Sequence, residues 1–201
     1  MAYADSWHIV LDIETLGIET GAPIIQIAAK ILKHKDGVPV IVYDFNRYIN
    51  LQSNIDAGLR TLDEDTLLWW LDQYKNHNSD TLEQAVSGDA LDDVLYDFAE
   101  FIRDCVPADA DKFFWSRGID FDFRHLAHAF EVFEIRVPWK FWECRDLRTI
   151  DDKAFLGDFV KDKNNHDAST DTLNDLTMLS WAIWKQRPVV SGSIDAPDKF
   201  F

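Results

Sequence analysis

Asp12 and Glu14 stand one residue apart in the run HIVLDIETLG, residues 8–17. Apolar residues before them read as a buried strand, and strand alternation sends side chains i and i+2 to the same face. Two carboxylates side by side beside a core repel each other and lose hydration, which destabilises the fold unless a proton or a cation joins them. A hard divalent cation suits them, since Mg²⁺ is commonly held by one or two carboxylates, waters and substrate phosphates. The plainer alternative is a strand running into solvent ahead of a turn at Gly17.

Two further groups of acids invite the same question. In FWSRGIDFDFRHLAHAFE, residues 114–131, a strand passes through Gly118 into a helix, with Asp120 and Asp122 at the junction. Capping and the helix dipole account for one acid there, which leaves one over. In NNHDASTDTLNDL, residues 164–176, His166 precedes Asp171 by five positions. The plain reading is a solvated helix start in which Asp167 or Ser169 caps, Asp171 and Asp175 form an exposed pair, and His166 contacts solvent.

The elements that must position these residues follow from periodicity. Three β-like runs, WHIVLDI, PIIQIAAKIL and VPVIVYDFNRYIN, are separated by short turns and predict an antiparallel meander. LDEDTLLWWLDQYKN reads as a helix. DALDDVLYDFAEFIRDC reads as a clearer one, with Leu91, Val94, Leu95, Phe98, Phe101 and Ile102 at helical spacing. KFFWS predicts a strand, FDFRHLAHAFEVFE a helix with a Phe123, Leu126, Phe130 and Phe133 stripe, WKFWEC a short strand, and ASTDTLNDLTMLSWAIWKQR the last long helix. This order implies an α/β fold, a mixed sheet covered by helices in a single domain, with residues 188–201 as an aperiodic tail.

Composition sets limits. A chain of 201 residues with 47% hydrophobic residues can bury a core in one domain. Cys105 and Cys144 match no zinc spacing and suit free thiols. The N-terminus lacks a signal-peptide pattern and no run reaches membrane-spanning length, so a cytoplasmic protein that does not engage membranes is expected. A net charge of −16 disfavours a basic groove along a duplex, yet is compatible with a grip on a few nucleotides at a chain end.

Taken in order, Asp12-x-Glu14-Thr15-Leu16-Gly17, Phe121-Asp122-x-x-x-Leu126 and His166-x-Ala168-x-x-Asp171 resemble the motifs of the DEDDh family of 3′-5′ exonucleases, which has the ribonuclease H-like fold. TLLWWLDQ and VPWKFWECRDLRT narrow the likeness to the subgroup of phage exonucleases and a mycobacterial-type exoribonuclease, which includes DNA and RNA enzymes. Arg117-Gly118-Ile119-Asp120 departs from the residues that often precede the family's Phe-Asp, and keeps Asp120 in play as a rival ligand.

The resemblance implies an exonuclease domain over residues 1–187. It implies two Mg²⁺ ions, with Mn²⁺ able to substitute, held by Asp12, Glu14, Asp122 and Asp171. Asp12 would bridge both ions, and His166 would be the general base. It further implies contacts of Thr15 and Leu16 with the terminal nucleotide. Trp69, Trp70 and Gln73 could form another wall, with one tryptophan stacked on a base. Arg145 and Arg148 suit either phosphate contacts or salt bridges. The expected activity is release of nucleoside 5′-monophosphates from 3′ ends of single-stranded DNA or RNA. A homodimer is compatible, since family members often dimerise. The competing functions are a catalytically inactive nucleic-acid or nucleotide-binding module and a phosphodiesterase of very short oligonucleotides.

Overall fold

A computed structural model describes residues 3–151 and 166–190. Its strands are β1 (Trp7–Thr15), β2 (Ile24–Lys35), β3 (Val38–Tyr48), β4 (Lys112–Ser116), β5 (Cys144–Asp146) and β6 (Val189–Val190). Its helices are α1 (Leu51–Asp56), α2 (Glu64–Asn76), α3 (Thr81–Val86), α4 (Leu91–Cys105), α5 (Asp122–Val132) and α6 (Ala168–Trp184). The sheet order is β5-β4-β1-β2-β3-β6. β1, β2 and β3 form the expected antiparallel meander, while β4 lies parallel to β1 and β5 parallel to β4.

Alternation along β1 builds two cores. Ile9, Leu11 and Ile13 join the larger one, against the α4 stripe of Leu91, Val94, Leu95, Phe98, Phe101 and Ile102 and the α5 residues Phe123, Leu126 and Phe130. Val10 faces the opposite core, with Leu176, Met178 and Leu179 of α6. By the same alternation Asp12 and Glu14 continue the Val10 face, so the acid pair is carried to α6. Helix α6 in turn packs on β1 and β2, which brings Asp171 toward the pair.

Three features differ from the sequence expectations. Helices α1 and α3, of 6 residues each, have no counterpart in the periodicity, because one and a half turns are too short for a stripe to show. The strand expected in residues 139–144 begins only at Cys144, and a 3₁₀ turn occupies Phe141–Glu143. The segment read as a tail starts with β6, which pairs in parallel with Val40 and Ile41 of β3. The part of that segment beyond residue 190, and the run 152–165, lie outside the described residues.

Candidate active site

Asp12 and Glu14 sit on β1 opposite Ala28 and Gln26 of β2. Asp171 comes from the first turn of α6, which begins where the Asp167 side chain caps the Thr170 N–H. Carboxylate oxygens of Asp12, Glu14 and Asp171 all lie within 4.8 Å of one another. Two of the three motifs thus meet at one point, and the plain reading of an exposed Asp171–Asp175 pair fails. Asp175 is 3% exposed and bonded to Arg117 Nη2 at 2.8 Å.

The third motif stands beside this group. Parallel pairing of β1 with β4 ends at Val10–Trp115, and two residues beyond Leu11 the Ile13 N–H donates to Asp122 Oδ1 at 3.3 Å. Asp122 is buried whereas Asp120 is exposed, so the strand-to-helix turn aims Asp122 inward. Neither acid caps α5: the residue before it, Phe121, has no side-chain cap bond. Asp122 lies outside the group of three mutually close oxygens and acts on it through charge. Its carboxylate is the first neighbour, after burial, that raises Asp12.

Electrostatics identify the kind of group these residues suit. Burial, then Asp122, Glu14, Asp171 and Asp175 in turn, hold Asp12 well above the usual carboxylate range. Burial, then Asp171, Asp167 and Asp122, push Glu14 up to about 8. Burial pushes Asp122 up to about 7, although the Ser116 side chain and the Ile13 N–H pull the other way. Clustered carboxylates of this kind offer only oxygen donors and excess negative charge, the donor set of a hard divalent ion such as Mg²⁺ or Mn²⁺. The residues therefore fit the cation that the fold implies.

His166 lies just ahead of the Asp167 cap, with backbone φ of +50°. Its ring meets the Trp69 ring edge-on, centroids 4.6 Å apart at 89°. Partial burial first, then the nearby His77, hold the imidazole below its usual value. Asp167, the next residue, is close enough to raise Glu14, so the histidine stands at the rim of the acid cluster.

The expected substrate wall is built differently. Trp70 is 1% exposed and its indole N–H donates to the Thr15 carbonyl at 2.9 Å. With its polar edge satisfied and its faces enclosed, the ring is core and is not offered to a base. Leu16 packs in the same small cluster with Ile25, Trp70 and Ala85, and is buried. Gln73 is also buried. Thr15 donates its hydroxyl to the Gly17 carbonyl at 2.8 Å. A Cβ at Gly17 would stand 2.7 Å from the Thr61 carbonyl oxygen, so only glycine lets the loop before α2 close against the end of β1. The aromatic ring that α2 presents to the site is the half-buried Trp69. Arg145 donates to the carbonyls of Trp142 and Cys144, and Arg148 lies against Gly118.

Two supporting arrangements were not read from the sequence. Arg117 bridges Asp175 of α6 and Asp151, tying the end of β4 to the helix that carries Asp171. Gln26 donates to Asp167 Oδ1 at 2.7 Å and accepts from the Ala168 N–H at 3.0 Å. In the sequence Arg117 shows only as a departure from a motif, and Gln26 as a polar residue within the apolar run IIQIAA.

Comparison with known proteins identifies a family and a fold. A family model described as the 3′-5′ exoribonuclease Rv2179c-like domain matches residues 7–184. No protein of curated function matches the sequence. Among solved structures, the chain is similar to the nuclease domain of 3′hExo, a DEDDh family member bound to rAMP. That match has a TM-score of 0.62 at 12% identity, covering 93% of this chain and 96% of that one. It is also similar to E. coli ExoI in complex with ssDNA, with a TM-score of 0.64 at 14% identity over 90% of this chain and 41% of that one. Cell-death related nuclease 4 (CRN-4) matches with a TM-score of 0.59 at 17% identity, over 93% and 67%. These neighbours share the ribonuclease H-like fold expected from the sequence. With the family model spanning almost the whole described fold and the acids of β1 and α6 drawn together, the chain belongs to the 3′-5′ exoribonuclease Rv2179c-like domain family and is a 3′-5′ exonuclease, a hydrolase of phosphodiester bonds.

Proposed function

We propose that the protein trims single-stranded RNA from free 3′ ends, releasing nucleoside 5′-monophosphates, with DNA as the alternative strand. The observation that carries this reading is the meeting of Asp12, Glu14 and Asp171 oxygens within 4.8 Å. The description of the family as exoribonucleases favours RNA. The exonuclease domain is assigned to residues 1–187, and a cytoplasmic setting is proposed from two cysteines, Cys105 and Cys144, whose spacing matches no zinc motif. No helix among the described residues is long and apolar enough to cross a membrane. The family resemblance also carries a homodimer, which sedimentation at assay concentration tests.

In this reading Asp12, Glu14, Asp122 and Asp171 hold two Mg²⁺ ions, or Mn²⁺ in their place. When bound, the ions activate water and stabilise the departing 3′ oxygen. The acids set where the cations, and with them the reacting phosphate, would stand at the end of β1, and supply the negative field that a proton or a cation relieves. His166 accepts the proton of the attacking water. A depressed basicity keeps its imidazole neutral, and so able to accept, at neutral pH. Trp69, beside His166, offers the aromatic surface for a base, and stacking of that kind tolerates any sequence.

Matched RNA and DNA strands, 5′-labelled and graded in length from the dinucleotide upward, test the reading with Mg²⁺ and with Mn²⁺. A ladder shortening from the 3′ end, faster on RNA, is expected, and a 3′-phosphate should block it. Cleavage of dinucleotides alone would replace the reading with a short-oligonucleotide phosphodiesterase. Internal cuts in a circular single strand would overturn it.

A further inference from the structure

We propose that Gln26 is a positioning residue for this reaction: its carboxamide locks the start of α6 to the strand beside Glu14, and so sets where His166 and Asp171 stand against the acids of β1. The proposal rests on the roles given above to His166 and Asp171.

Register makes Gln26 the cross-strand partner of Glu14, and it is fully buried. A buried carboxamide in a strand that otherwise reads IIxIAA is costly unless every polar atom is used. Here they are used. Nε2 donates to Asp167 Oδ1 at 2.7 Å and to Asn46 Oδ1 at 2.9 Å, while Oε1 accepts from the Ala168 N–H at 3.0 Å. The side chain thus grips two successive residues at the helix start. Asp167 passes the constraint onward, since its Oδ2 accepts from the Thr170 N–H at 2.9 Å and from the Thr170 hydroxyl at 2.9 Å. Tyr48 donates to Oδ1 from β3 at 3.2 Å.

The gripped pair lies between the two groups that matter. His166 is the residue before Asp167, and its φ of +50° is one that L side chains rarely adopt, so neighbours must hold it. Asp171 lies one turn beyond, and its N–H bonds to the Asp167 carbonyl at 2.9 Å. Because Gln26 is anchored in the sheet opposite Glu14, it refers both groups to the same strand pair that carries Asp12 and Glu14. Leucine would fill the space without making the link, and glutamate would set a third carboxylate against Asp167 and Glu14. Reaction rates are sensitive to such references, since about 1 Å of misplacement can cost on the order of 10²-fold.

The bond suggests its own test by exchange of partners. Gln26→Glu removes the donor, Asp167→Asn removes the acceptor, and the double variant restores one donor facing one acceptor at unchanged net charge. The carboxamide introduced by Asp167→Asn would keep an oxygen for Thr170, and Asn46 can rotate its amide to donate. Gln26→Glu should lower kcat roughly 10–100-fold, the range found when groups supporting a catalytic site are lost. KM for a single strand should move far less. The double variant should recover kcat to within a few-fold of wild type. Melts in chelator, which need no activity, should follow the same order, with each single variant below wild type and the double variant near it. Singles that fold and turn over like wild type, or a double variant that folds yet shows the product of the single losses, would overturn the clamp. Should the singles not fold, the double variant decides alone, and its failure to turn over when folded is equally fatal. His166→Ala and Asp171→Asn in the same assay separate this outcome from failure of the site reading, because full turnover in those variants removes the catalytic roles whatever Gln26 does.

Discussion

In the proposed reading His166 takes the proton of the attacking water, the step that the acids do not supply. His166→Ala should lower turnover by about 10²–10⁴-fold, the usual contribution of a general base, while metal-dependent binding of a blocked oligonucleotide persists. Turnover near wild type in that variant would remove the histidine from the mechanism. Partial burial and His77 hold its basicity down, so the acidic limb of the kcat–pH profile should fall below the ordinary imidazole value of about 6.5. A limb above that value would assign the titration to another group. At this scale much was legible. The i, i+2 spacing of Asp12 and Glu14 was enough to ask for a cation, whereas the choice between Asp120 and Asp122 was left open by the sequence, and the structure finds Asp122 buried and Asp120 exposed. Gln26 and Arg117 were not legible, since a polar residue within an apolar run signals a buried bond only when its partner, here Asp167 or Asp175 far along the chain, is known.

Among the elements, α2 carries two adjacent tryptophans on different faces, and the helical period alone could not assign them. Trp70 points into the core and supports the end of β1 through the Thr15 carbonyl. Trp69 points toward His166. Their substitutions should therefore fail in different ways. Trp70→Phe leaves a buried carbonyl without its donor, at a cost of about 1–3 kcal/mol. That should lower the melting temperature by roughly 2–4 °C per kcal/mol in a chain of this size. Its kcat and KM per folded molecule should stay near wild type. Trp69→Ala should act mainly on turnover. Trp70→Phe with a normal melt and a raised KM would return that ring to the substrate wall. The strands and the long helix α4 were readable from alternation and from a complete apolar stripe, whereas α1 and α3 were too short to show one. Antiparallel β1–β3 followed from short connections. The placement of β4 beside β1 is a long-range pairing that no local pattern encodes.

At the scale of the whole molecule, whose net charge is −16, three acids of the site resist ionisation. Asp12, Glu14 and Asp122 all have folded-state values above their unfolded ones. Their contribution to stability is therefore full below the unfolded carboxylate range of about 4 and is lost as pH rises through about 7 for Asp122 and about 8 for Glu14. In chelator the melting temperature should fall across that window. Asp167 behaves oppositely: burial would raise it, but bonds from Gln26, Thr170 and Tyr48 lower it, so its contribution is lost only as pH drops below about 4. A chelated melt that rises from pH 5 to pH 8 would contradict this assignment. Divalent cations that bind only the folded form should reverse the loss by mass action. The central claim, that the acids of β1, α5 and α6 form one cation site serving catalysis, is tested most directly by thermal melts of wild type and Asp122→Asn at neutral pH, each in chelator and in millimolar Mg²⁺, with turnover of the same samples. Wild type should gain melting temperature with Mg²⁺. In chelator the Asn variant, which keeps an oxygen for the Ile13 N–H but loses one repelling charge, should melt no lower than wild type, gain less from Mg²⁺, and lose most activity. No effect of Mg²⁺ on wild type, together with an active Asn variant, would contradict the claim and return Asp12 and Glu14 to the role of ordinary strand-end acids.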